Sequence, residues 1–202
     1  MEQLELPVCK WHSISMDWTY LPKVVMADQR KFDQVLTVTD RASKQVILIP
    51  CNAEQTATQL AEVFLHEMVR YRGLPSSIIS DRDNRFRSEF WESLCLLMGI
   101  KQRMSSPFHP QTHGQAKRTN QTMKQVLRTM VLAKLSQNQQ QTVNWVQLLD
   151  FVESAVNNAP IGGTELSPYY VNLGYHPTFF LDVPEFDPET LRVQTLAQSR
   201  IS

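Results

Sequence analysis

The alternation of apolar and polar positions along the chain predicts strands in its first half. Residues 11–18, WHSISMDW, alternate as the residues of a half-buried strand do, with Asp17 near the end of that strand. Residues 34–40 (QVLTVTD) and 44–51 (KQVILIPC) are rich in β-branched side chains and are joined by a short polar turn, which predicts a hairpin. Two shorter strands are predicted further on, over residues 76–80 (SSIIS) and, more weakly, over residues 101–106 (KQRMSS).

Between and after these strands, apolar residues recur every three or four positions, which predicts helices. The first helix follows Asn52 and Gln55, which resemble an N-cap with its reciprocal partner, and it ends before Gly73. The second helix ends at Gly99, and the third opens at about Gln115. The remaining predictions are a polar linker over 136–141, a last long helix over 145–159 and loop-like chain from residue 160.

The predicted elements follow the order β, ββ, α, β, α, β, α, α. This order is typical of an α/β fold in which helices flank a mixed sheet, here of five strands. With 202 residues, of which 42% are hydrophobic, the chain is long enough for one substantial domain. We expect that domain over residues 11–177, after a leader at 1–10 and before a poorly ordered tail at 178–202.

Cysteine use and hydropathy exclude several classes of protein. The three cysteines, Cys9, Cys51 and Cys95, lie more than forty residues apart, which is neither a disulfide framework nor a zinc-binding spacing. Cys51 and Cys95 adjoin apolar runs, so we expect buried free thiols and a reducing, intracellular compartment. No apolar run approaches the ~20 residues of a membrane span, and the polar first residues do not resemble a signal peptide. We therefore expect no membrane partner.

Charge is distributed unevenly, although it cancels over the whole chain. Residues 82–134 carry ten Lys and Arg against three Asp and Glu, whereas the other residues carry ten basic and seventeen acidic side chains. A basic segment in an otherwise neutral protein favours a polyanionic partner. An ordinary solvated surface is the alternative that charge alone leaves open.

Two acids are each predicted to end a strand, Asp17 in SMDW and Asp81 in IISD. Strand ends that face a loop are where α/β folds place chemistry. Carboxylates from neighbouring strands form an oxygen-rich site suited to Mg²⁺, and two such ions ~4 Å apart clamp the attacking and leaving oxygens of a phosphoryl transfer. Each Asp also has a plain structural interpretation, as the cap of a strand or turn.

Five segments together resemble the catalytic core of integrases from LTR retrotransposons of the gypsy type, which are related to retroviral integrases. They run in the family's order over about residues 11–177, and the resemblance comes from all of them jointly. The segments are WHSISMDWTYLP, VLTVTDRASK with VILIPC, FLHEMVRYRGLPSSIISDRDNRFRSEFWESLCLLMGI, SSPFHPQTHGQAKRTNQTM and NNAPIGGTELSPYYVNLGYHP.

This resemblance implies an RNase H-like fold and a triad of Asp, Asp and Glu, the DDE triad, that binds two Mg²⁺ or Mn²⁺ ions. It makes Asp17 and Asp81 catalytic residues and metal ligands. The family usually separates the last two acids by thirty-five residues, and that interval counted from Asp81 reaches Lys117. The flanks agree, because family members read roughly HPQTDGQTERxNQ where this chain reads HPQTHGQAKRTNQ, with His113 in place of the usual Asp.

Lys117 therefore stands at the position of the third catalytic acid with the opposite charge. An ammonium group has three donors and no acceptor, so it cannot ligate Mg²⁺, and at ~4 Å from a cation it adds repulsion. It is suited instead to bridge Asp17 and Asp81. No acid lies within one helical turn of Lys117 in either direction. We expect weak or absent metal binding and a vestigial, inactive triad.

The resemblance also implies contacts with DNA, because the third predicted helix and the loop after the second acid approach DNA in integrases. Phosphate contacts are expected from that helix and loop, with a solvated basic face as the competing interpretation. The candidate residues are Arg82, Asn84, Arg85, Arg118, Asn120, Lys124 and Arg128.

Three functions are open on this sequence. The first is a retroelement-derived core, domesticated by a host, that has lost catalysis and binds nucleic acid weakly and without sequence preference in the nucleus. The second is a polynucleotidyl transferase core for DNA integration, inactivated at Lys117. The third is a structural module that acts through a homodimer interface. We also expect the chain to lack the amino-terminal zinc module and the carboxy-terminal DNA-binding module that integrases usually carry.

Overall fold

The centre of the fold is a mixed sheet of five strands. The computed structural model describes residues 9–104, 110–137 and 143–177, with residues 110–117 and 137 described by their backbone alone. The strands are β1 Ser13–Val25, β2 Lys31–Asp40, β3 Val46–Cys51, β4 Ser77–Ser80 and β5 Lys101–Met104. Their order in the sheet is β3-β2-β1-β4-β5, antiparallel from β3 to β1 and parallel from β1 to β5.

Helices cover both faces of the sheet, as the period of their apolar residues predicts. They are α1 Ala57–Phe64, which continues through a π-helical turn at Leu65–Val69 into α2 Arg70–Arg72, then α3 Glu89–Leu97, α4 Pro110–Gln137, α5 Leu149–Asn158, entered through a 3₁₀ turn at Trp145–Leu148, and α6 Pro168–Leu173. The predicted architecture, a five-stranded mixed sheet flanked by helices, is therefore confirmed.

Two apolar layers hold the helices on the sheet. On one face, Ile14, Met16 and Trp18 alternate out of β1 into a core that includes Phe64 and Trp91, whose rings meet edge to face at 5.6 Å. Burying a side chain of this size stabilises the fold by about 1.5–3 kcal/mol. The layer on the other face comprises Val35, Val46, Leu48, Met123, Leu127, Trp145, Leu148, Leu149, Val152 and Val156.

The first helix begins one turn later than the sequence predicts. Asn52 and Gln55 form a turn instead of a cap, with the Gln55 N–H donating to the Asn52 carbonyl at 3.0 Å. The capping box is Thr56 with Gln59: the Gln59 N–H donates to Thr56 Oγ1 at 3.3 Å, and the Thr56 N–H donates to Gln59 Oε1 at 2.9 Å. Asn52 with Gln55 and Thr56 with Gln59 have the same three-residue spacing of a capping box. The helix uses the second pair, which directly precedes its apolar residues.

Two other helices differ from their predictions. The third helix is predicted to open at about Gln115, but α4 begins at Pro110, because proline is favoured in the first turn of a helix, where its missing N–H is not needed. Helix α6 lies in a stretch predicted to be loop-like, and it is capped by Ser167, whose Oγ accepts from the Tyr170 N–H at 3.1 Å. Helix α4 also runs into the predicted polar linker, of which residues 138–141 lie outside the described residues.

Helix α5 closes the outer edge of β3. Asn157 Oδ1 accepts from the Val46 N–H at 2.7 Å, and its Nδ2 donates to the Val46 carbonyl at 2.8 Å. Glu153 Oε2 accepts from the Leu48 N–H at 2.7 Å. Pro50, the next residue that faces outward, has no N–H to offer. An edge strand with its donors engaged in this way is a poor template for pairing with another strand.

The remaining predictions about the chain have mixed outcomes. Cys51 and Cys95 are buried free thiols, as predicted, and burial raises the pKa of Cys51 to about 12 and that of Cys95 to about 11. Within the described ranges, no helix is both long and apolar enough to cross a bilayer. The predicted tail at 178–202, and the predicted leader except for residues 9 and 10, lie outside the described residues.

Candidate functional site

The parallel pairing of β1 with β4 brings Asp17 and Asp81 side by side. The last residues in register are Met16 and Ser80, and each acid is the next residue along its chain. Asp81 follows the end of β4, as predicted. The prediction that Asp17 lies near the end of its strand is wrong, because β1 continues to Val25 in antiparallel pairing with β2. Asp17 marks the end of the parallel pairing instead.

Both carboxylates are half-buried, and their charges interact. Burial raises the pKa of Asp81, and the negative charges of Asp17 and Asp83 raise it further. The N–H of Asp83, which donates to Asp81 Oδ1 at 3.1 Å, acts in the opposite direction. Two partly desolvated carboxylates that repel each other form a site that a divalent cation would stabilise.

Helix α4 reaches this site through Asn120. This side chain is only 9% exposed, and its Nδ2 donates to Asp17 Oδ2 at 2.7 Å. The other Asp17 oxygen, Oδ1, accepts from the Trp18 N–H at 3.0 Å. Asn120 Oδ1 is buried and accepts no hydrogen bond from the described part of the chain. The contact fixes the position of α4 against the end of the parallel pairing.

Position 117 lies in α4, three residues before Asn120. Residues three apart in an α-helix share a face, so the backbone places position 117 one turn before the contact with Asp17. The side chains of Lys117 and His113 lie outside the described residues. The bridge from Lys117 to Asp17 and Asp81 therefore stays a prediction.

The seven candidate DNA contacts fall into two groups. Arg85 and Asn120 use their polar groups inside the protein, and the side chain of Arg85 is only 11% exposed. The structure does not bring these two side chains to the basic surface. The exposed candidates are Arg82, Asn84, Arg118, Lys124 and Arg128.

Sequence reasoning misses a network of residues around Arg85. Its Nε and Nη2 donate to the two carboxylate oxygens of Asp83 at 2.8 and 2.9 Å, and Nη1 and Nη2 both donate to Gln34 Oε1 at 3.1 Å. Its guanidinium lies 3.7 Å from the ring centroid of Trp18. The sequence carries one signal for this, an Asp two residues before an Arg in the loop after a buried strand, which is the spacing of a local ion pair.

The donor set fits part of a divalent-cation site. Asp17 and Asp81 supply hard carboxylate oxygens of the kind that Mg²⁺ prefers. Among the residues that the structure describes, no group of three or more His, Cys, Asp and Glu side chains is placed to hold a metal ion. Two carboxylates suit one weakly held cation better than the two ions of a phosphoryl-transfer site.

Comparisons with known proteins identify the family to which this chain is related. The family model described as "Integrase core domain" matches residues 9–110. The Transposon Tf2-3 and Tf2-4 polyproteins of Schizosaccharomyces pombe are each 33% identical over 182 residues, which is 89% of this chain but only 13% of either polyprotein. The chain thus spans about an eighth of the length of these curated relatives.

Several solved structures that match this fold come from retroviral integrases. An intasome chain of simian T-cell lymphotropic virus matches with a TM-score of 0.64 and 18% identity, over 92% of this chain and 62% of that one. The HTLV-2 integrase catalytic core domain in complex with magnesium matches with a TM-score of 0.60 and 17% identity, over 81% of this chain and 97% of that one. The BIV integrase core matches with a TM-score of 0.59 and 22% identity, over 81% and 95%. Together with the family match and the retrotransposon relatives, these findings show that the chain belongs to the integrase core domain family and is of retroelement origin.

Proposed function

We propose that this chain is an integrase core that binds nucleic acid and does not catalyse strand transfer, because Lys117 replaces the third acid. The observation that carries the proposal is the hydrogen bond from Asn120 to Asp17. It sets the position of α4 at the site, and Lys117 precedes Asn120 by one turn of the same helix. The kept interval of thirty-five residues after Asp81 supports the same alignment.

Loss of catalysis follows from the chemistry of the three positions. In this family, bound divalent ions activate the attacking oxygen and stabilise the leaving one when they are present. Asp17 and Asp81 would hold such an ion through their carboxylates. An ammonium at position 117 supplies no ligand, and as the counter-charge of the two acids it competes with the cation for them.

Nucleic-acid binding is proposed to use the exposed cations of the loop after β4 and of α4. Arg82, Arg118, Lys124 and Arg128 are exposed, and guanidinium and ammonium groups on a surface contact phosphates without reading base sequence. Binding is therefore expected to be weak, indifferent to sequence and strongly dependent on salt.

Self-association is part of the same proposal. The HTLV-2 integrase core was solved in dimeric and trimeric forms. We propose a homodimer for this chain, and the nucleus as the compartment where it meets DNA. Light scattering coupled to size-exclusion chromatography tests the dimer, and a monomer at tens of micromolar would contradict it.

Lys117→Glu tests the proposal, with Lys124→Glu as the matched control on the same helix. Calorimetric titration with Mn²⁺ should show at least tenfold tighter binding for Lys117→Glu and no gain for Lys124→Glu, which makes the same change in charge elsewhere. The unmodified chain should show no disintegration, an assay that resembles the reverse of strand transfer. Activity of the unmodified chain that Asp81→Asn abolishes would show that Lys117 is not inactivating.

A second candidate is an integration core whose site is otherwise intact and which is inactive because of Lys117 alone. The contacts of Asn120 with Asp17 and of Asp83 with Asp81 favour it, because they keep both remaining acids oriented. It predicts that Lys117→Glu restores disintegration activity together with metal binding. A core that has lost other parts of the site would regain metal binding alone.

A further inference from the structure

Building on the proposed function, in which Asp17 and Asp81 are the remaining cation ligands, we propose that Arg85 is a positioning residue for both acids. Its side chain is 11% exposed, so it is not available to a phosphate on the surface. Arg85 belongs to the loop that follows Asp81, and its side chain packs against Trp18 of β1, the strand that carries Asp17.

The link to Asp81 runs through Asp83. The side-chain Nε and Nη2 of Arg85 donate to the two carboxylate oxygens of Asp83, Oδ1 and Oδ2. The backbone N–H of Arg85 also donates to Asp83 Oδ1, at 2.9 Å. The Asp83 N–H in turn donates to Asp81 Oδ1 at 3.1 Å. Since Arg85 fixes Asp83 by side chain and backbone, it fixes the N–H that orients the Asp81 carboxylate.

The link to Asp17 runs through Trp18. The guanidinium of Arg85 lies against the indole ring of Trp18, 3.7 Å from its centroid, and the ring of Phe86 also stacks with the indole, with 5.7 Å between the two centroids. The Trp18 N–H donates to Asp17 Oδ1 at 3.0 Å. A displaced indole would therefore move the backbone donor that orients the first acid.

Gln34 on β2 is a further hydrogen-bond partner of the Arg85 guanidinium. Its side chain is buried, and its Oε1 accepts from both Nη atoms of Arg85 at 3.1 Å. Four of the five N–H donors of Arg85 are thus used within the protein, in a plane that also stacks on Trp18. Lysine keeps the charge but has neither the fork nor the plane.

A buried ion pair is by itself weak evidence of stabilisation, because desolvation offsets its attraction. The distinctive property of this one is its place, with one contact leading to each acid. A positioning role and a merely structural role therefore predict different effects of the same substitution. If Arg85 is a positioning residue, its substitution loosens the loop after β4 and the site in a protein that stays folded. If its role is merely structural, the substitution lowers stability everywhere.

The test is amide hydrogen exchange on the full chain, comparing the unmodified protein with Arg85→Lys and with Arg87→Lys, a matched change at an exposed residue of the same loop. For Arg85→Lys, exchange in residues 82–86 should become about tenfold faster, while the paired amides of β2 and β3 keep their rates. For Arg87→Lys, both regions should be unchanged. Unchanged exchange in residues 82–86 of Arg85→Lys, or a uniform increase throughout the chain, would overturn the proposal.

Metal affinity supplies a second readout, in the Lys117→Glu background where Mn²⁺ binding is expected. Adding Arg85→Lys should weaken Mn²⁺ binding about tenfold at a temperature where both proteins are folded, and adding Arg87→Lys should leave it within twofold. Equal affinities would overturn the positioning role. If Lys117→Glu binds no Mn²⁺ at all, the proposed function fails, and the exchange result still decides the role of Arg85.

Discussion

Replacing Glu153 with Gln should remove a penalty that grows with pH. Glu153 is a half-buried residue of α5, and its carboxylate accepts from the Leu48 N–H of the edge strand β3. Burial raises the pKa of Glu153 from 4.5 to about 7, and the charges of Asp150 and Glu67 add to the increase, while the Leu48 N–H and Arg72 act against it. Gln has nearly the same shape, keeps an oxygen acceptor for the Leu48 N–H and never ionises.

The sign and size of the effect follow from proton linkage. Between pH 4.5 and 7 the unfolded chain has released the proton of Glu153 and the folded chain still holds it, so stability falls as pH rises. The difference between the two pKa values corresponds to about 3 kcal/mol once pH exceeds 7. The two proteins should thus be equally stable near pH 4.5, and the Gln variant should be more stable by about 3 kcal/mol at pH 8.

Urea unfolding at pH 4.5, 6, 7 and 8 measures this difference, because titration of the other groups cancels between the two proteins. Glu62→Gln is the control, since that side chain is exposed on α1 and lines the same cleft as Leu48 of β3. The free energy of unfolding of Glu62→Gln should equal that of the unmodified protein at every pH in this series. Parallel pH profiles for Glu153→Gln and the unmodified chain would refute the assignment of a buried, protonated Glu153.

Two further substitutions separate structural from binding roles. Asp40→Ala should cost about 3–5 kcal/mol in urea unfolding, because the buried carboxylate accepts from the N–H groups of Trp11, Ala42 and Ser43; exposed Asp28→Ala should cost little, and a small loss for both would contradict this. Lys124→Ala should reduce by about one the slope of log K against log salt for a short DNA duplex, measured by fluorescence anisotropy. An unchanged slope would remove α4 from the phosphate contacts.

Periodicity predicts the helices of this fold because each one buries a single apolar stripe. The apolar stripes of α1, α3 and α5 follow this rule and lie within the predicted helices, although α1 begins one turn later than predicted. The hairpin of β2 with β3 is predicted from its β-branched residues instead, and it is buried on both faces, since Leu36 belongs to one apolar layer and Val35 to the other. The extent of β1 was not predictable in this way, because Pro22 argues against a strand. Pro22 lies at the register irregularity between Tyr20 and Val24, and its carbonyl accepts from Trp145 Nε1 at 2.7 Å.

The candidate site is also only partly predictable from the sequence. Pairing Asp17 with Asp81 is predictable because each acid lies at or next to the end of a short run that predicts a strand. The contacts of Arg85 are not, because a basic residue in the loop after a strand-ending acid has the same local sequence whether it faces DNA or the interior. Its partner Gln34 lies 51 positions away, and only the folded sheet brings the two together.

The order of the strands also bears on when the two acids meet during folding. β1, β2 and β3 form a meander of neighbours along the chain, whereas Ser13 and Ser77, which pair across β1 and β4, are 64 positions apart. Pairings between strands that are close in sequence close small loops and form quickly. Parallel pairings between distant strands must close large loops and form more slowly. The meander with Asp17 should therefore form before β4 delivers Asp81. If β4 and β5 open as one cooperative unit, the paired acids are lost in a molecule whose first three strands are still folded.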